Sequence, residues 1–93
     1  MQFMAYCLDK PGALEVRTAN RPKHIEYLKA HNSKLLFAGP LLDDKDGMVG
    51  SLLVVEAADR AAMDAFLAGD PYAKAGLFQS VTVHPVRKAF PQQ

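Results

Sequence analysis

Two short stretches carry the side chains best suited to chemistry, Arg21-Pro22-Lys23-His24 and Gly69-Asp70-Pro71-Tyr72. They give an imidazole and a carboxylate to a chain with few other polar candidates. A carboxylate that accepts a hydrogen bond from one imidazole nitrogen fixes the ring's tautomer and favours its protonated form. The other nitrogen then becomes a better base. A His24–Asp70 dyad of this kind is suited to abstracting a proton next to a carbonyl, or to activating water. Spacing alone leaves a plainer alternative open, in which Asp70 caps a turn through Pro71 and His24 is an exposed helix residue. Around the pair, Arg21 and Tyr72 are candidates to hold an anionic or carbonyl oxygen of a ligand. The alternative for them is a solvated arginine and a packing tyrosine. Gly39-Pro40 is expected to shape a pocket wall, with glycine allowing close approach. Ser51 either donates a hydrogen bond into the rim or simply begins a strand.

These residues meet only if the elements carrying them converge. Phe3 to Leu8 is an almost unbroken apolar run stopped by Asp9-Lys10-Pro11-Gly12, which predicts a strand buried on both faces. A connection over residues 9 to 21 follows, long enough for a lid or binding loop, with a turn or two of helix within Ala13–Arg17. Pro22 suits the first turn of a helix capped by Asn20. In that helix Ile25 and Leu28 face the core, and His24, Leu28 and His31 share one flank. The helix is expected to end at Asn32-Ser33. Lys34–Ala38 predicts a second strand closed by Gly39-Pro40, and Ser51–Glu56 a third, after a polar turn at Asp43–Gly47. Asp59 is expected to cap a second helix whose buried stripe is Met63, Phe66 and Leu67, with Gly69 as its stop. Gln79–Arg87 alternates as a fourth strand, and the tail from Ala89 is expected to be loose or used in assembly.

The resulting order, βαββαβ, predicts an α+β ferredoxin-like sandwich: an antiparallel sheet in the order 4-1-3-2 with both helices on one face. Tracing the chain up and down that sheet puts the start of the first helix and the end of the second at the same edge. His24, Asp70, Gly39-Pro40, the 43–50 turn and Ser51 then crowd one rim. The first and third strands are apolar on both faces, so the sheet face without helices needs a cover. A second copy is the economical one, and a homodimer through the open sheet face is the expectation.

Composition narrows the possibilities further. Ninety-three residues suffice for one domain, 1–93, and not two. Eleven basic and ten acidic side chains nearly cancel, which gives no electrostatic reason to expect nucleic acid or an anionic membrane as partner. No apolar run approaches the roughly 20 residues of a membrane helix, and the first residues lack the pattern of a signal peptide. A cytoplasmic protein is the expectation. Cys7 has no partner for a disulfide and no adjacent basic residue, so it is read as a buried structural thiol. His24, His31 and His84 lack metal-ligand spacing, Asp44-Lys45-Asp46-Gly47 fails as a calcium loop, and there is no phosphate loop or nucleophile elbow. No metal and no cofactor are expected.

Taken together, Arg21-Pro22-Lys23-His24, Ala38-Gly39-Pro40-Leu41, Gly69-Asp70-Pro71-Tyr72 and the strand ending Val83-His84-Pro85-Val86 resemble the YciI-like (YCII-related domain) family. The resemblance runs from the Tyr6 strand to Phe90. It implies a ferredoxin-like fold, pairing as a dimer, and an architecture similar to the dimeric α/β-barrel enzymes. It also implies that His24, in Arg-x-x-His, and Asp70, in Asp-Pro-Tyr, form a catalytic pair, and it links some members to elimination or dehydrochlorination of ring compounds. Two readings of function follow. One is a small cofactor-independent enzyme, lyase- or isomerase-like, with a His–Asp general base acting on a small organic molecule. The other is a non-catalytic dimer that binds or senses such a molecule.

Overall fold

In β1 (Gln2–Asp9) the side chains alternate between the two faces of the sheet: Phe3, Ala5 and Cys7 are buried, while Tyr6 and Leu8 on the other face are exposed. The structure, a computed structural model, describes residues 1–92; Gln93, which closes the expected domain and its tail, lies outside the described residues. After β1 come α1 (Leu14–Ala30), β2 (Leu35–Leu42), β3 (Met48–Glu56), α2 (Arg60–Gly69), a short α3 (Pro71–Lys74) and β4 (Phe78–Val86). The strands pair antiparallel in the order β2-β3-β1-β4. Counted from the opposite edge this is 4-1-3-2, the ferredoxin-like α+β sandwich that the apolar runs predict.

Phe3, Ala5, Cys7, Leu53 and Val55 on one face of the sheet pack against Met63 and Phe66 of α2, with Tyr27 and Leu28 of α1 beside them. Asp59 caps α2 by accepting from the Ala62 N–H at 2.8 Å. The Tyr27 hydroxyl donates to the Phe66 carbonyl at 2.7 Å and ties α1 to α2. Both helices are thereby fixed over the same sheet face, with the end of α2 against the second half of α1, at Tyr27 and His24.

Several boundaries differ from expectation, each for an identifiable reason. The helix expected to begin at Pro22 begins at Leu14, so residues 14 to 21 are helix and not a loop. A proline inside a helix removes one backbone bond and costs about 3 kcal/mol. Here Thr18 and Pro22 are both exposed, so the affected turn faces water, and Arg17 anchors the first half through Asp9. Asn20 is not a cap; its Nδ2 donates to the Val16 carbonyl one turn earlier, at 2.9 Å. Helix α1 stops at Ala30, and Asn32-Ser33 belongs to a 3₁₀ turn, Asn32–Lys34. Strand β2 continues through Gly39-Pro40 instead of stopping there, because it is an edge strand, where a proline without an N–H is tolerated. Strands β3 and β4 begin earlier than expected, at Met48 and Phe78.

Candidate active site

Asp70 ends α2 and begins α3, and that junction fixes its carboxylate. Its Oδ1 accepts from the Tyr72 N–H at 2.9 Å, as an N-cap does, and also pairs with His24 Nδ1 at 2.8 Å. A single oxygen of Asp70 thus carries both the turn cap and the hydrogen bond to His24, which is not the exposed helix residue of the plainer alternative. Pro71 occupies the first helical position, where its missing N–H costs nothing. A carboxylate already accepting from a backbone amide accepts from imidazole as well, so the His24 proton sits on Nδ1. That leaves Nε2 of the neutral ring as the basic nitrogen. Both side chains are largely withdrawn from solvent, at 12% and 3% exposure.

His24 lies flat on Tyr72, with ring centroids 3.9 Å apart and planes 13° from parallel. Tyr72 is buried, and burial pushes its phenol up, against the opposing pull of Arg17 and Arg21. Three restraints therefore hold the imidazole: the Asp70 bond, the Tyr72 ring and its own helix. A base held this way loses little freedom on meeting a substrate.

Next to this pair is a cavity of about 160 Å³, walled by Arg17, Arg21, His24 and Leu28 of α1, Ala38, Gly39 and Pro40 of β2, Met48, Ser51 and Leu53 of β3, and Tyr72. Every residue singled out from the sequence is thus at the cavity or, for Asp70, directly behind it. Of the expected rim, the Asp43–Gly47 turn does not reach it. A volume of about 150 Å³ holds a benzene ring, so the space is right for one substituted six-membered ring.

Sequence reasoning missed Arg17. The residue is 2% exposed, and its guanidinium meets Asp9 with two bonds, Nε to Oδ2 at 2.7 Å and Nη2 to Oδ1 at 3.0 Å. Nη2 also donates to Ser51 Oγ at 2.9 Å, and the guanidinium carbon stands 4.7 Å from the Tyr72 ring centre. Burial disfavours the Arg17 charge, but the bonds and charge of Asp9 outweigh it and hold the group protonated more firmly than usual. A signal was available: Arg17, Arg21, His24 and Leu28 follow i, i+4, i+7, i+11, one stripe of a helix that starts before Pro22. Ser51, read as either a donor into the rim or the start of a strand, lies inside β3 and is a buried acceptor for Arg17 that lines the cavity. Arg21 is exposed and has no carboxylate within ion-pair distance among the described residues.

Comparison with known proteins places this arrangement in context. The family model of the YCII-related domain matches residues 1–87. The chain is similar to protein YciI of Escherichia coli, with 35% identity over 97% of this chain and 100% of the relative. It is 34% identical, over the same shares, to an uncharacterized protein of Haemophilus influenzae. Among solved structures it is similar to 5-chloro-2-hydroxyhydroquinone dehydrochlorinase (TftG) from Burkholderia phenoliruptrix in complex with 2,5-dihydroxybenzoquinone. That match has a TM-score of 0.87 and 39% identity and covers 94% of each chain. SnoaB, a cofactor-independent oxygenase from Streptomyces nogalater, shares the fold alone, at 18% identity over 98% of this chain and 96% of that one, with a TM-score of 0.58.

Proposed function

Since the chain belongs to the YCII-related domain family, we propose that it is a cofactor-independent, lyase- or isomerase-like enzyme acting on a small hydroxylated ring compound. The observation that carries the proposal is the His24–Asp70 hydrogen bond at 2.8 Å on the wall of a cavity sized for one ring. The similarity to a dehydrochlorinase supports the reaction class.

His24 Nε2 takes the proton of a ring hydroxyl, and the electron pair moves into the ring. The imidazolium, stabilised by Asp70, returns that proton to the ring carbon bearing the leaving group. Loss of a second hydroxyl proton then expels the leaving group with its bonding pair. The net change is loss of HX, so atoms and charge balance without an oxidant or reductant. If no leaving group is present, the first two steps alone interconvert enol and keto forms. Arg21, exposed at the mouth and free of carboxylate partners, attracts an ionised substrate. The active form is proposed to be a homodimer joined through the open sheet face.

Chloride release from 5-chloro-2-hydroxyhydroquinone, followed with purified protein, tests the reading. Wild type is expected to turn over, His24→Ala to lose about 10²- to 10⁴-fold in rate, and Asp70→Asn to fall between the two. His31→Ala should match wild type, because His31 Nδ1 donates to the Tyr27 carbonyl away from the cavity. A wild type that binds chlorinated and non-chlorinated hydroxyquinols equally, raising the melting temperature without converting either, would establish the binding module instead.

A further inference from the structure

Arg17 is a buried charge with no task in the proton transfers above. A guanidinium carries five N–H donors. Nε and Nη2 of Arg17 spend three of them, on Asp9 Oδ2, Asp9 Oδ1 and Ser51 Oγ. The Tyr72 side chain is a further hydrogen-bond partner of Arg17 and takes a fourth, which leaves one N–H, on Nη1, without a protein partner among the described residues. Arg17 lines the cavity, so that donor has open space beside it. A buried ion pair is seldom more stable than two apolar residues of the same volume. Anchoring the first half of α1 accounts for a contact with Asp9, but not for placing a guanidinium beside an open space when an apolar pair would anchor as well.

Position supplies the reason. His24 stacks on the Tyr72 ring at 3.9 Å and the Arg17 guanidinium stands 4.7 Å from the same ring. Base and donor are thus set against one immobile side chain, with the cavity beside both. Asp9 cancels the net charge of Arg17 but not the direction of its free donor. What remains is a fixed N–H group, the preorganised kind that stabilises charge as it develops. We propose that Arg17 is a catalytic residue whose Nη1 donates to the oxyanion formed when a ring hydroxyl is deprotonated, and that the substrates are single-ring hydroxy compounds bound as phenolate-type anions. The proposal deepens the function proposed above and rests on it for the proton transfer, whereas anion binding is measurable without turnover.

4-Nitrocatechol is a suitable probe, because its phenolate is coloured and it ionises near neutral pH. Bound to wild type, it is expected to ionise at a pH lower than free in solution by about one unit or more, a tenfold preference for the anion. Arg17→Met should abolish that displacement while still binding catechol, which stays neutral, with a smaller loss of affinity than for nitrocatechol. Arg17→Lys keeps the charge without the fork and should retain only part, and it decides the matter if melting curves show that Arg17→Met is unfolded. Arg21→Gln should weaken binding yet leave most of the displacement. The proposal is overturned if wild type binds no probe or shows no displacement, or if both Arg17 variants keep it in full. It is equally overturned if Arg17→Met loses catechol and nitrocatechol alike, which would mark a packing role. A clear displacement in a protein that releases no chloride would sink the elimination reading and leave the anion site standing.

Discussion

Burial pushes the Cys7 thiol up from 9.0 to about 12, helped by Asp70 and Asp9 and opposed by Arg17. The folded protein therefore keeps the proton where the unfolded chain would release it. Its contribution to stability is complete below pH 9 and is lost as pH rises from 9 towards 12, because the unfolded state then binds fewer protons than the folded one. Urea unfolding at pH 8 and at pH 10.5 should show wild type losing about 2 kcal/mol more than Cys7→Ala over that interval. Iodoacetamide at pH 8 should leave the folded protein unmodified and label it once denatured. Rapid labelling of folded protein would contradict the burial, and equal losses in the two proteins would contradict the shift. The thiol's inert character was legible in the sequence from its apolar strand and the lack of a basic neighbour. The buried charge of Arg17 was not, since it depends on a partner eight residues earlier, at the far end of a stretch that a helix start at Pro22 left as connection.

At the level of elements, Gly50 of β3 stands opposite Leu8 of β1. A Cβ at Gly50 would run into the backbone carbonyl oxygen of Cys7 and lie 2.8 Å from Leu41 Cδ1. Backbone cannot rotate aside as a side chain can, so Gly50→Ala must part the two central strands. Overpacking of this kind costs about 1–3 kcal/mol, which for a chain of this length lowers the melting temperature by about 4–8 °C per kcal/mol. Thermal unfolding of the variant checks it; an unchanged melting temperature would mean that the strands part freely. Ser51 follows directly and holds Arg17, so the variant should also weaken nitrocatechol binding. The four strands, the two long helices and their order were readable, because period-2 and period-3.6 patterns report which face is buried, whereas the short α3 was not foreseen. What failed were boundaries governed by tertiary contacts. Gly39-Pro40 reads locally as a stop, yet it lies within an edge strand opposite Leu52 and Ser51. Pro22 reads as a start, yet the ion pair at Arg17 and the packing of Leu28 hold helix on both sides of it.

For the whole molecule, the question is what lies against the sheet face turned away from the helices. Tyr6, Leu8 and Phe37 are 40%, 36% and 53% exposed there, beside Met4, Leu52 and Val54 on the same face. The β4 residues Ser80, Thr82 and His84, paired with Leu8, Tyr6 and Met4, make one margin of the face polar. An apolar centre with a polar margin is the anatomy of an interface. Four strands about 4.8 Å apart and some nine residues long, at about 3.3 Å each, present roughly 600 Å² before side-chain relief is added. That approaches the roughly 800 Å² per partner of a stable complex, so the proposed homodimer has surface enough. Light scattering coupled to size exclusion should give twice the 10.2 kDa of the chain at micromolar concentration. Tyr6→Asp puts a charge at the centre of the face, on a side chain that touches neither the core nor the cavity. It should return the mass to that of one chain, lower the melting temperature and remove its dependence on protein concentration. If Tyr6→Asp stays dimeric, the copies meet elsewhere; if wild type is monomeric at hundreds of micromolar, this face is covered by something other than a second copy. Nitrocatechol titration of the monomeric variant then separates assembly from chemistry. His24, Asp70 and Arg17 all belong to one chain, so the displaced ionisation should survive dissociation, and its loss would mean that pairing holds α1 and β2 in place around the site.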